Sequence, residues 1–142
     1  MKRLLKERKG SVTLLWFGLV FALLLTTLLI IEMGATMENY GYAESVLQRA
    51  CNSAVEANII DAYRADHILK MDTVGAAADF RAFVRNDLPA KYALKITDIR
   101  CTDSPPSMTV TGTISFDTLF SQYGFDRITH TLKVVSTNYD LD

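Results

Sequence analysis

Residues Val12 to Ile31 read VTLLWFGLVFALLLTTLLII, twenty in a row without a charge. At about 1.5 Å of rise per residue, a helix of that length crosses the roughly 30 Å hydrocarbon core of a bilayer. A helix buried in a water-soluble core would keep a polar edge, and the apolar part of a cleaved secretory signal is shorter, about 7 to 15 residues. The segment therefore reads as a retained membrane-spanning helix. Thr13, Thr26 and Thr27 are compatible with lipid, because a threonine hydroxyl can donate to the carbonyl one turn earlier in its own helix.

The flanks give the orientation. Lys2, Arg3, Lys6, Arg8 and Lys9 precede the run against the single acid Glu7, while Glu32 and Glu38 follow it. Basic flanks are retained on the cytoplasmic side. Trp16 sits one turn inside that boundary, where an indole is favoured. The expected organisation is a basic cytoplasmic leader over residues 1–10, a transmembrane helix over 11–31 and an extracytoplasmic domain over 32–142. The whole chain of 142 residues carries a net charge of −1. Without the leader, 10 basic residues face 15 acidic ones, so the outer part is mildly acidic. That balance offers no footprint for nucleic acid, which needs clustered Lys and Arg facing phosphates.

Beyond Ile31 the helical pattern continues. Leu47, Cys51, Val55, Ile59 and Tyr63 form one stripe, with Ala43, Val46, Ala50, Ala54 and Ala57 beside it, at three-to-four spacing. The expectation is one helix from about Val12 to Asp66, apolar all round in its inner half and amphipathic in its outer half. Gly34 and Gly41 fall between the halves. Each costs about 1 kcal/mol relative to Ala in a helix interior, which suits either a loosened turn or a close-packing position.

A second helix is expected after Asp72, a suitable N-cap, through Val74, Ala77, Ala78, Phe80, Ala82, Phe83 and Val84 to a stop before Pro89. The texture then alternates. Tyr92, Leu94, Ile96 and Ile99 mark a first strand; Met108, Val110, Gly112, Ile114 and Phe116 share a face of a second; Ile128, His130, Leu132 and Val134 share a face of a third. Ser104-Pro105-Pro106-Ser107 and Ser121–Asp126 read as turns. The fold class is α+β: a long N-terminal helix, a short second helix and an antiparallel meander of three or four strands, its apolar face covered by the outer half of the first helix.

Cys51 falls on the buried stripe and Cys101 at the end of the first strand, both on the expected outer side, where disulfides persist. A bridge between them would pin helix to sheet and close a loop of about fifty residues, worth on the order of 4 kcal/mol in the chain-entropy model. Two reduced core thiols are the alternative. Only two histidines occur, His67 and His130, and no HExxH, CxxC, GxSxG, Walker or GxGxxG pattern is present. His67 reads as a polar residue beyond a helix end, and His130 as a strand residue making a cross-strand hydrogen bond. The aromatics Tyr40, Tyr42, Phe80, Phe83, Phe116, Phe120, Tyr123 and Phe125 read as core or membrane-interface residues. The expectation is a protein with no metal, no cofactor and no catalytic role.

The start Lys6-Glu7-Arg8-Lys9-Gly10-Ser11-Val12-Thr13-Leu14-Leu15 resembles class III prepilins, most closely the TadE/TadG-like proteins of tight-adherence (Flp) pilus machinery. The likeness covers roughly residues 1–58, with a looser echo in Leu47–Ala54. It implies cleavage by a prepilin peptidase after Gly10, leaving Ser11 as the new N-terminus. It further implies partnership with other pilin-like subunits and the pilus assembly machinery, at the cell membrane and, in part of the family, in a surface filament. Leu15 stands at the fifth mature position, where many prepilins carry Glu; tip or initiating pseudopilins and TadG-like members can lack that acid. The mid-helix proline of many relatives is absent as well. Gly18 and Ala22, at small-xxx-small spacing, independently suit lateral helix packing in a membrane. The expected function is a minor pseudopilin for a type IV or Tad-like pilus or related secretion filament. The alternative is an uncleaved single-pass protein whose ectodomain binds a partner or ligand.

Overall fold

The structure, a computed structural model, describes residues 2–60 and 69–138, with side chains from residue 12 onward. It contains helix α1 (Lys2–Ala57), helix α2 (Thr73–Asp87) and strands β1 (Ala93–Thr102), β2 (Ser107–Phe116) and β3 (Ile128–Thr137). The strands form one antiparallel sheet in the order β1-β2-β3, so the expected α+β meander is present with three strands. The chain divides into two compact units, Met1–Thr36 and Met37–Asp142, and α1 contributes to both.

In the first unit every side chain from Val12 to Ile31 is exposed. This is the one helical segment among the described residues that is long and apolar enough to cross a membrane. The threonines behave as their chemistry requires: Thr26 Oγ1 donates to Ala22 O at 2.8 Å and Thr27 Oγ1 to Leu23 O at 2.9 Å. Neither hydroxyl is left bare in apolar surroundings.

The second unit, the head, is built on the C-terminal part of α1. Ala43, Val46, Leu47, Ala50, Cys51, Ala54 and Val55 are all buried, and most of them join Ala76, Phe80 and Val84 of α2 and the inward residues of the sheet in a single core. Alternation on β2 is complete: Met108, Val110, Gly112, Ile114 and Phe116 point inward and their neighbours outward. On β3, Leu132 and Val134 are buried and Ile128 and His130 half-buried on the same face. Gly112 is needed because the β1 backbone comes close; a Cβ there would lie 2.8 Å from Lys95 O. That approach coincides with a β-bulge between Ile96 and Asp98, which admits one extra residue and returns Ile99 and Cys101 to the face that Leu94 and Ile96 occupy.

Helix α1 ends at Ala57, nine residues before the expected Asp66, because Asn58 is captured by tertiary partners. Its Nδ2 donates to Asp79 Oδ2 at 2.8 Å and to Ala54 O at 2.9 Å, while its carbonyl accepts from Asp72 N at 2.9 Å. Ile59 then bridges Met71 in antiparallel fashion. Gly75 permits this seat, since a Cβ there would collide with Asn58 Oδ1 and Asp72 Oδ2. Of the expected stripe, Ile59 is half-buried and Ala57 exposed, whereas Tyr63, Asp66 and His67 lie outside the described residues.

Helix α2 begins where expected, with Asp72 accepting from Val74 N at 3.0 Å, and it stops at Leu88, extended before Pro89. Its buried face is Ala76, Phe80 and Val84; Val74, Ala78 and Ala82 are exposed. Gly34 and Gly41 lie inside an uninterrupted helix, and a Cβ at either would meet nothing within 4 Å, so neither marks a close approach.

The two glycine environments separate cleanly in a stability measurement on the full chain. Gly112→Ala should lower head stability by about 1–3 kcal/mol through the clash with the β1 backbone. Gly41→Ala should raise it by up to about 1 kcal/mol through helix propensity alone. Denaturant unfolding followed by circular dichroism distinguishes them, and equal effects of the same sign would refute the assignment.

Candidate functional site

Three places carry the chemistry that the sequence singles out: the apolar span, the pair of thiols, and the end of the head where α1 enters it.

Just before the apolar run, Gly10 and Ser11 belong to α1, and their side chains lie outside the described ones. Gly18 and Ala22 are one turn apart, and Thr26 continues the series by another turn. Nothing lies within 4 Å of a Cβ built at Gly18. This edge of the helix is narrow, and the Thr26 hydroxyl is turned back onto the Ala22 carbonyl. A second helix can approach such an edge closely.

Both cysteines neighbour Met108 of the middle strand. Cys101 pairs with Met108 across β1 and β2, and Met108 pairs with Ser136 across β2 and β3. Cys51 lies on this rung from α1, its Sγ donating weakly to Met108 O at 3.7 Å. The bridge expected between Cys51 and Cys101 is not formed: both are free, Cys51 buried and Cys101 half-buried. The physical reason is direction. The Cys51 thiol is turned to the backbone of β2 and β3, whereas Cys101 sits on β1, one strand away. Burial pushes the Cys51 thiol up from 9.0 to about 11; the neighbouring Cys101 adds to the rise and the Ser136 backbone opposes it. Burial also raises Cys101, with the Arg81 charge opposing. Both are protonated near neutrality and poor nucleophiles.

At the α1 entry to the head, Asn39 Oδ1 accepts from Lys91 Nζ at 3.0 Å and from Tyr92 Oη at 2.8 Å. Tyr42 stacks on Tyr92, and Tyr92 meets Phe116 edge-on. His130 lies between Tyr40 and Phe116, with ring centroids 5.4 and 6.1 Å away. The cross-strand hydrogen bond expected of His130 is not made; its Nε2 is buried and has no hydrogen-bond partner among the described residues, the ring being held by aromatic contacts instead. The β2–β3 connection closes this end. Arg127 grips Asp117 through Nε and Nη2, at 2.8 and 3.2 Å, and Nη2 also donates to Lys91 O at 3.0 Å. An open cleft of about 420 Å³ runs along the connection, lined by Asp117, Thr118, Leu119, Ser121 and Gln122.

The aromatics thus separate into two sets. Phe80 and Phe116 are core, whereas Tyr123 and Phe125 on the β2–β3 connection are 73% and 65% exposed. By type alone these aromatics are indistinguishable; the signal that separates the exposed set is the crowding of Leu119, Phe120, Tyr123 and Phe125 into one turn-rich stretch. No group of three His, Cys, Asp or Glu side chains that could hold a metal ion occurs among the described residues.

Labelling tests the thiol geometry. At pH 8, a small maleimide should modify Cys101 in the folded protein and leave Cys51 untouched until denaturant is added, as read by peptide mass spectrometry. Equal labelling of both would overturn the burial of Cys51 under the sheet. The raised Cys51 value also fixes a sign: the stability linked to this thiol is complete below about pH 9 and declines as pH rises toward 11, because the unfolded chain ionises first. Cys51→Ala should remove that part of the alkaline decline.

Comparison with protein-family models, with curated proteins and with solved structures finds no match to this chain.

Proposed function

We propose that the protein is a single-pass membrane subunit of pilin-like type, a minor pseudopilin serving a type IV or Tad-like filament, with its N-terminus in the cytoplasm and its head outside. The observation that carries this reading is the continuity of α1. One helix, Lys2–Ala57, offers an apolar surface on all sides over Val12–Ile31 and then supplies the buried face Ala43–Val55 of the head.

An apolar surface of that extent has to be removed from water, by lipid or by other apolar helices. The basic residues before it favour retention of that end in the cytoplasm. Gly18, Ala22 and Thr26 offer a like helix a close approach, so the span acts both as anchor and as packing surface. The resemblance of the Lys6–Leu15 start to class III prepilins supports processing between Gly10 and Ser11 by a prepilin peptidase. It also supports head contacts with other pilin-like subunits. The role is structural: the head presents surfaces and the span supplies cohesion.

Two measurements test this. N-terminal sequencing of the protein from its native membrane should give a start at Ser11 when the prepilin peptidase is active and an intact leader when it is not. An intact leader in both cases would refute processing and leave a permanently anchored ectodomain whose business is partner binding. Separately, Gly18→Ile should weaken lateral association in bilayers by roughly tenfold in an energy-transfer assay, while Leu19→Ile leaves it unchanged. An unaffected Gly18→Ile would remove that helix edge from the assembly surface.

A further inference from the structure

Between α2 and the free edge of β1 runs an open groove of about 360 Å³. Val84, Leu88, Leu94 and Ile96 give it an apolar floor, and the last three are only half-buried. Arg81 and Arg85 stand along its rim, one helical turn apart and both exposed. Their situation differs from that of other arginines of the head. Arg100 pairs with Asp98 and Arg127 with Asp117, whereas neither Arg81 nor Arg85 has a carboxylate partner among the described residues. Arg81 gives one N–H to the Ala77 carbonyl at 3.3 Å. Two unneutralised cations above an apolar floor define their complement, a segment that turns carboxylates to one side and apolar side chains to the other.

The chain carries such a segment just beyond the described residues. Tyr139-Asp140-Leu141-Asp142 alternates apolar and acidic residues. In an extended backbone Tyr139 and Leu141 share one side and Asp140 and Asp142 the other. The two carboxylates then recur at roughly 6.7 Å along the strand direction. Arg81 and Arg85 recur at about 6 Å along the helix axis, so each acid can meet one guanidinium while the apolar side chains turn to the floor. The segment cannot serve the groove of its own head. It follows Asn138, whose N–H is held by the carbonyl of Pro106, next to Ser107, the partner of Thr102 at the end of β1. Four residues span at most about 14 Å. Ile96 and Leu94 lie roughly 20 and 27 Å along β1 from Thr102.

We propose that Tyr139–Asp142 of one copy docks in the α2–β1 groove of a second copy, with Asp140 and Asp142 on Arg81 and Arg85 and Leu141 on the apolar floor. The donated segment and the groove are different parts of the head, so the contact is heterologous. Each copy gives its segment to one neighbour and receives that of another, and copies add in line. The proposal gives the head contact of the subunit reading above a pair of surfaces, and it rests on that reading only for bringing copies together. It needs neither cleavage after Gly10 nor the Gly18 edge.

The test cross-links two full-length, differently tagged forms reconstituted together in phosphatidylcholine vesicles. The receiving form carries Cys51→Ala and keeps Cys101, which lies on β1 close enough to Arg81 to feel its charge. The donating form carries Cys51→Ala, Cys101→Ala and Asn138→Cys, so a flexible bismaleimide joins unlike tags only between position 138 and Cys101. A product bearing both tags is expected. Arg81→Glu with Arg85→Glu in the receiving form should lower its yield roughly tenfold. Asp140→Lys with Asp142→Lys in the donating form should then restore it, which a misfolded head could not do. Gly18→Ile in both forms should leave this arginine dependence in place, which separates the groove from packing of the spans. A yield indifferent to the arginine reversals, or a loss that the reversed segment fails to restore, overturns the proposal. Absence of any mixed product overturns it as well and leaves the groove to an acidic segment of a different protein. An intact leader, which would refute processing, changes none of these outcomes, so the two readings fail separately.

Discussion

The head depends on one contact, the seating of α1's small-residue face on the inward side of β2. Ala43, Ala50 and Ala54 keep the helix close to the sheet, while Leu47, Cys51 and Val55 fill the grooves between them. The apolar face of the three-stranded meander has to be kept from water, and α2 contributes three buried residues, Ala76, Phe80 and Val84, with Phe83 packed against them. Most of the cover therefore comes from a helix that also belongs to the apolar unit before it. Any change that lifts α1 from Met108, Val110 and Ile114 exposes the centre of the sheet. Losing one fully buried side chain such as Leu47 or Phe80 costs about 2–5 kcal/mol, a large share of what a head of this size can hold.

The remaining elements adjust to that contact. The bulge after Ile96 shifts the phase of β1 so that both of its halves face the same core, and Gly112 opposite leaves room for the displaced backbone. Asn58 ends α1 by exchanging the next helical hydrogen bonds for partners on α2 and its N-cap, which fixes where the helix stops and where α2 starts. Gly75 removes the side chain that would keep these backbones apart. Polar groups at the helix end are satisfied from across the fold, which a protein interior requires of them.

What the sequence revealed follows the range of the interactions concerned. The uncharged run Val12–Ile31, the Asp72 cap, the stop before Pro89 and the alternation of β2 and β3 are local, and each is present in the structure. Even the bulge left a trace, since Ile96 and Ile99 are three apart where a regular strand would place its inward residues two apart. The end of α1 was not legible, because it is set by Asp79 and Asp72, far along the chain from Asn58. The phase of α2 was ambiguous: alanines lie on several of its faces, and only the fit of Phe80 chooses among them. The direction of the Cys51 thiol is likewise a product of packing, so two cysteines at a plausible helix–sheet junction read as a bridge that the geometry does not make. The exposed aromatics between β2 and β3 were visible as residues but not as a surface, because exposure is decided by the turn that carries them.

The absence of an acid at Leu15 has a physical consequence under the proposed reading. Cleavage after Gly10 would create a positive amine at Ser11 beside an apolar helix. A carboxylate one turn on, where Leu15 stands, could neutralise a neighbour's amine and let two such ends be buried together. The first acid beyond the leader is Glu32, 21 residues and about 32 Å of helix away, too far to serve. A buried unpaired charge costs several kcal/mol, so the Ser11 end of this chain belongs at the headgroup level, in contact with water. Such a subunit is better suited to the end of a stack of helices, or to a membrane-retained position beside it, than to its interior. The Gly18–Ala22–Thr26 edge, about two to four turns deeper, remains available for a close helix contact at either position.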